Sequence, residues 1–143
     1  MSVLVDVAEA VKGRINAQLP GLGSPAVREH VPLYDLSTQG LDVKVSVVPK
    51  DVRIDRESRQ AARWEIEIDV GVQRRVATAG LGEIDAMHGV VESVQDVLYG
   101  ADLATTPVAR FRSSAISPIL VPDHVERMNT YTSVITVTYR VTR

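Results

Sequence analysis

Three carboxylates, Glu65, Glu67 and Asp69, recur at alternate positions between Trp64, Ile66, Ile68 and Val70. Period two puts them on one face of a strand. Hard cations such as Ca²⁺ or Mg²⁺ take oxygen ligands, but alternate residues of a strand stand about 6.5–7 Å apart. One ion cannot reach all three without help from elsewhere. Cross-strand pairing with Lys44, or with an arginine of the later strands, is the plainer use of these groups. An acidic wall facing a channel or a partner is a third use. The other charged feature runs from Lys50 to Arg63. Lys50, Arg53, Arg56, Arg59 and Arg63 are interleaved there with Asp51, Asp55 and Glu57, five cations against three anions, or +2. Grooves that track phosphates combine unopposed basic charge with aromatics on which bases stack. Here acids interrupt the run, and Trp64 belongs to the apolar side of its strand.

Other chemistries find no constellation. His30, His88 and His124 are far apart and share no paired-ligand spacing. His88 falls beside the apolar stripe of a helix, a surface or boundary position. Asp123 and His124 are adjacent, but catalytic pairs are assembled by folding, so adjacency carries no weight. Gly21-Leu22-Gly23-Ser24 lacks the lysine of a phosphate loop. After Gly80-Leu81-Gly82 the third glycine of a dinucleotide fingerprint would fall at Asp85, whose charge repels a pyrophosphate. The chain has no cysteine, which removes disulfides, thiolate zinc sites and cysteine nucleophiles together. No cofactor and no metal is implied.

The elements that position these residues are readable from periodicity. Leu4, Val7, Ala8, Val11, Ile15 and Leu19 form the apolar stripe of a first helix. Ser2 is its N-cap, Asp6 and Glu9 lie toward its positive end, and Lys12 and Arg14 toward its negative end. Leu19-Pro20-Gly21 stops it. A short strand fits Ala26–Val31. Leu41, Val43, Val45 and Val47 alternate with polar residues until Pro49, which is expected to end that strand. The alternation from Trp64 supplies its antiparallel partner. The intervening Lys50–Arg63 segment is too long for a tight hairpin loop and is expected to project as a charged arm. Ile84, Met87, Val91, Val94 and Leu98 make a second helix, stopped by Tyr99-Gly100. Val108 to Ile116 is extended. After a second long connection, Pro118 to Asn129, a Thr- and Val-rich strand runs to Val141. The order predicts an α+β domain: two helices on one antiparallel or mixed sheet of four to five strands, with long hairpin arms.

A chain of 143 residues with one such pattern is one domain, 1–143. Its formal charge of −2 argues against a dedicated nucleic-acid binder. No apolar run reaches membrane-span length, and the start lacks the basic region of a signal peptide, so a soluble cytoplasmic product is expected. Aromatics are 4%, so the core is built from Val, Ile, Leu and Ala. Thirteen of sixteen basic residues are arginine, which suits bidentate pairing at interfaces but also follows from GC-rich coding.

The order of elements resembles the tail terminator or tail-completion (head–tail joining) proteins of long-tailed bacteriophages. The likeness spans nearly the whole chain. It rests on the opening helix Leu4-Val5-Asp6-Val7-Ala8-Glu9-Ala10-Val11 and the strand Val43-Lys44-Val45-Ser46-Val47-Val48-Pro49. It continues through the arginine-bearing arm into Trp64-Glu65-Ile66-Glu67-Ile68-Asp69-Val70, the helix after Gly82, and the strand Val134-Ile135-Thr136-Val137-Thr138-Tyr139-Arg140-Val141.

The resemblance implies a non-enzymatic morphogenetic protein. It would form a homo-oligomeric ring, typically hexameric, that ends tail-tube polymerisation and offers the head its docking surface. Its partners would be its own copies, the major tail tube protein and a head-side neck or connector protein, with DNA only in transit and no membrane. It would reside in the virion, and in the host cytoplasm during assembly. Arg53, Asp55, Arg56, Glu57, Arg59 and Arg63 would then suit ion pairing with a neighbouring subunit or the tube, and Glu65, Glu67 and Asp69 could line a lumen that repels passing DNA. Another neck component, a head-completion or stopper protein, is the alternative. A small α+β enzyme or ligand-binding domain is the competing class. Charge is unevenly laid along the chain. The second helix, from Gly82 to Leu98, has four acids and no Lys or Arg, whereas Val108 to Arg143 carries five arginines against two acids, or +3. Opposite-sign surfaces on one small protein suit self-association.

Overall fold

The computed structural model of the chain describes residues 2–21, 26–28, 43–75, 81–117 and 130–143. Among these the elements run α1 (Val3–Gln18), β1 (Val27–Arg28), β2 (Lys44–Arg56), β3 (Ala62–Arg75), α2 (Leu81–Leu98), β4 (Arg110–Ile116) and β5 (Thr130–Thr142). The five strands form one mixed sheet in the order β1-β2-β3-β5-β4. β1 runs parallel to β2, and every other pair is antiparallel. The two-helix, five-strand α+β architecture is the one expected. His30, His124, Gly21-Leu22-Gly23-Ser24 beyond Gly21, Leu41 with Asp42, Gly80 and the Pro118–Asn129 connection lie outside the described residues, as does the expected strand beyond Arg28.

Both helices bury the stripes their spacing predicted. Val7, Ala8, Val11 and Ile15 of α1, and Met87, Val91, Val94 and Leu98 of α2, pack with Val45, Val47, Ile66, Ile68, Val70, Val72, Ile135, Val137 and Val141 in one core. The Ser2 hydroxyl accepts the Val5 N–H at 3.4 Å and caps α1. Gly100 takes φ +69° after α2, the left-handed conformation that glycine reaches without a Cβ penalty.

The basic residues of α1 have different work from that expected. The last turn of α1 holds no basic residue. Arg14 instead reaches across to α2, where its Nε donates to the Val97 carbonyl at 2.6 Å. That carbonyl belongs to the last turn of α2, which has no intrahelical donor for it, so Arg14 serves the negative end of the neighbouring helix. Lys12 pairs with Glu9, and Glu9 also accepts from Arg28 Nε at 2.8 Å. Hydrogen bonds from Lys12 and then Arg28 hold the Glu9 carboxyl below its ordinary value of 4.5. Asn16 completes the attachment of β1: its Oδ1 accepts the Ala26 N–H at 2.7 Å, and its Nδ2 donates to the Ala26 carbonyl at 3.2 Å.

Two expectations about the middle of the chain are corrected. Pro49 does not end its strand. β2 continues to Arg56, with a register shift between Pro49 and Asp51. Proline is tolerated where a strand bulges or forms an edge, and beyond Val47 no described strand flanks β2 on its outer side. The Lys50–Arg63 segment is accordingly no free arm. Its first half is strand, paired with β3 from Asp51↔Glu67 to Arg56↔Ala62, and β3 is paired on its other edge by β5 as far as Arg63↔Thr142. Only the turn from Glu57 to Ala61 is left. The Ser58 hydroxyl closes it by accepting from Gln60 and Ala61 at 3.3 and 3.1 Å.

Candidate assembly surface

Both helices lie on one face of the sheet, and no described element covers the other over the middle and hairpin end. Period two decides what that bare face carries. Paired strands bring residues in register to the same side. Arg53 of β2 lies opposite Glu65 of β3, Glu65 opposite Arg140 of β5, and Arg140 opposite Arg110 of β4. One cross-strand row therefore reads Arg53, Glu65, Arg140, Arg110. The next rows place Asp51 and Glu67 beside Thr138 and Ser113, and Asp69 beside Thr136.

The carboxylates of this face have separate partners. Arg140 grips Glu65 Oε1 through both Nε and Nη2, each at 2.7 Å. Asp69 accepts from the Thr136 hydroxyl at 2.7 Å. The pairing of this stripe with an arginine of a later strand is thus present, the partner being Arg140. Among the described residues no three His, Asp or Glu side chains are grouped to hold a metal ion. Asp55 sits between Arg53 Nε at 3.4 Å and Arg63 Nη2 at 3.8 Å, and Arg63 Nε lies 4.0 Å from Glu65. That Nε is buried without a hydrogen-bond partner. Exposed pairs of this kind stabilise by roughly 0–1 kcal/mol each. Their interest lies in what they present outward.

A shallow groove of about 390 Å³ opens along the hairpin half of the face, lined by Arg53, Asp55, Arg63, Glu65, Arg112 and Arg140 with Ser113 and Thr138. Four arginines against two carboxylates leave it at +2. Toward the middle the lining turns acidic, with Asp51 and Glu67 joining Arg53 and Glu65. Of the expected interface residues, Arg53, Asp55 and Arg63 come together here with Glu65. Arg56, Glu57 and Arg59 belong to the end of the hairpin instead. Arg56 Nε donates to the Ser58 carbonyl at 3.3 Å, Glu57 accepts from the Thr142 hydroxyl at 3.0 Å, and Arg59 is exposed in the turn. Arg110 and Arg112 were not singled out from the sequence. Their signal was the basic excess of the last third, which shows its location only once β4 is placed beside β5.

A second polar pair lies in the helix layer. His88, half-buried on α2, has its Nδ1 2.7 Å from the Tyr131 hydroxyl. Burial pushes the Tyr131 phenol up to about 12, against a hydrogen bond with Ser133 that lowers it. The pair is locked between α2 and β5 and does not line the groove.

The α+β fold is shared with a solved structure. The chain matches a chain of the "Virion of native gene transfer agent (GTA) particle" with a TM-score of 0.60, over 99% of this chain and 98% of that one. Their sequences are 19% identical, and what the likeness shows is the common fold. No family model and no curated protein matches the chain.

Proposed function

We propose that this chain is a non-enzymatic structural protein of a phage or phage-like particle, acting at the head-proximal end of the tail. Copies of it form a ring, of six in the simplest case, that ends tail-tube polymerisation and gives the head a surface to dock on. The observation that carries the reading is the fold shared along almost the entire length with a chain of a gene transfer agent virion. The order of elements from the opening helix to the Thr- and Val-rich strand points within such particles to the terminator. The bare charged face fits assembly: its groups are spread along a shallow groove and tied to one another, rather than gathered around one reacting atom.

In this role the turn Glu57–Ala61 with Arg56 and Arg59 faces the tube or a neighbour. A lumen lining built from Glu65, Glu67 and Asp69 is narrower than the three residues suggest, because Arg140 neutralises Glu65. Asp51, Glu67 and Asp69 would then repel passing DNA. The test is a particle-producing strain deleted for this chain and examined by electron microscopy. Tails of uncontrolled length, unjoined to filled heads, are expected; tails of normal length attached to heads overturn the reading.

A further inference from the structure

The outward side of α2 matches the bare sheet face in charge and in span. At 100° per residue Asp85, Glu92 and Asp96 fall within about 40° of one another, directly opposite the buried stripe of Met87, Val91, Val94 and Leu98. All three are exposed and have no ion-pair partner among the described residues. Beside them Gly82, Ala86, Gly89 and Ser93, at i, i+4, i+7 and i+11, are exposed too. A Cβ added at Gly82 or Gly89 would meet nothing within 4 Å, so internal packing does not ask for glycine at either place. In a helix each costs about 1 kcal/mol relative to Ala. What the small residues do is leave a flat helix surface that another backbone can approach closely.

We infer that the acidic outer face of α2 in one copy docks on the arginine groove of the bare sheet face in the next. This rests on the reading above that copies of the chain assemble with one another, and it names the two surfaces that meet. The lengths agree. Asp85 to Asp96 spans about 16 Å at a rise of about 1.5 Å per residue. Arg53 to Arg110 spans three strand spacings, about 14 Å. A helix laid across the strands brings its three carboxylates over Arg53, Arg140 and Arg112. The two surfaces lie on opposite sides of the same domain, because α2 packs its other side on the covered face. Docking therefore gives each sheet a second helix layer and leaves both outer surfaces of the pair unused. Such a heterologous contact propagates from copy to copy and closes when the rotation per step divides a full turn.

The chain has no cysteine, so introduced ones report the contact cleanly. Ser93→Cys marks the helix face and Ser113→Cys the groove; both sites are exposed. Treated with a short thiol-reactive cross-linker, each single variant stays monomeric on a denaturing gel, a mixture of the two gives dimers, and the double variant gives a ladder. Asp85→Lys with Asp96→Lys cuts the ladder about tenfold or more, and Arg53→Glu with Arg112→Glu in the partner restores it. The gel is run on concentrated purified protein and on particles carrying the double variant. Absence of the ladder in both, or a ladder indifferent to charge reversal, overturns the contact. A ladder obtained while deletion of the chain leaves tails normal keeps the contact and removes the tail reading. Abnormal tails without a ladder do the opposite.

Discussion

Tyr131 and Tyr139 offer the same chemical change with opposite expected signs. Both side chains are fully buried, two positions of one face of β5. The Tyr131 hydroxyl meets His88 at 2.7 Å, whereas the Tyr139 hydroxyl is buried without a hydrogen-bond partner. A buried polar group left unpaired costs about 1–3 kcal/mol, and an ordinary hydrogen bond contributes about 1 kcal/mol net. Tyr139→Phe removes the orphan oxygen but leaves an atom-sized gap, while the edge-on packing of the ring with Phe111, at 6.2 Å between centroids, is kept. A gain of about 1 kcal/mol remains, which raises Tm by about 3–4 °C in a domain of this size. Tyr131→Phe deletes a made bond and strands the His88 Nδ1, so it loses about 1 kcal/mol or more and lowers Tm by a similar amount. The pair of variants should therefore separate by about 2 kcal/mol. Urea unfolding followed through Trp64, the single tryptophan, measures this directly. Equal destabilisation by both variants refutes the reasoning, since it would mean that the Tyr139 hydroxyl is satisfied.

Four further outcomes are expected. Arg14→Met removes the donor to Val97 and leaves a carbonyl of the last turn of α2 unserved, lowering stability by about 1–2 kcal/mol in the same urea assay. Gly100→Ala forces a side chain into the left-handed conformation at φ +69° and costs about 1 kcal/mol, whereas Gly89→Ala, with open space around its Cβ, raises the stability of the isolated chain by up to about 1 kcal/mol. Burial raises the phenol of Tyr131 to about 12 and that of Tyr139 further, so the unfolded chain ionises first. Stability is whole below the ordinary value of 10 and declines as pH climbs from 10 toward 12, and phenolate absorbance from these two residues appears only with unfolding. Charge reversal at Arg56 and Arg59 leaves stability within about 0.5 kcal/mol, because both are exposed, but impairs assembly of particles scored by electron microscopy.

The helices and the alternating strands were legible in the sequence because their signals are local. A stripe such as Val7, Val11 and Ile15 faces a core whatever that core is, and the Trp64–Val72 alternation needs a buried side wherever its partner lies. Pro49 misled because its lost donor matters only in a strand flanked on both sides, and which strands flank it is a tertiary fact. An exposed hairpin half rich in Arg and Asp, following a proline, carries the same local pattern as a loop. Arg14 shows the same limit. Its position along α1 was plain, but its partner is a carbonyl of another helix. At the surface, the three carboxylates were visible from their spacing alone. Arg140 entered only as one of several later arginines, since choosing it requires the register Glu65↔Arg140. The bare face as a whole was invisible, because strand order decides which residues share it.

That strand order has a consequence for the timing of folding. β5 is inserted between β3 and β4, so β4 has no neighbour in the sheet until β5 has been synthesised. β5 also pairs with β3 over the full length from Arg63↔Thr142 to Arg75↔Thr130. A nascent chain emerging from the ribosome can close the β2–β3 hairpin and form both helices, yet it cannot complete the sheet. Until Thr142 is out, β3 exposes an unpaired edge and Ile66, Ile68 and Val70 lie under an incomplete core, a state in which strands pair with the wrong chain. Closure of this long-range ladder comes last, and pairings between strands so far apart in sequence are intrinsically slow to form. The arginine groove is therefore a late product of folding: Arg140 lies on β5 and Arg112 on β4, so it does not exist until the last strand is in place.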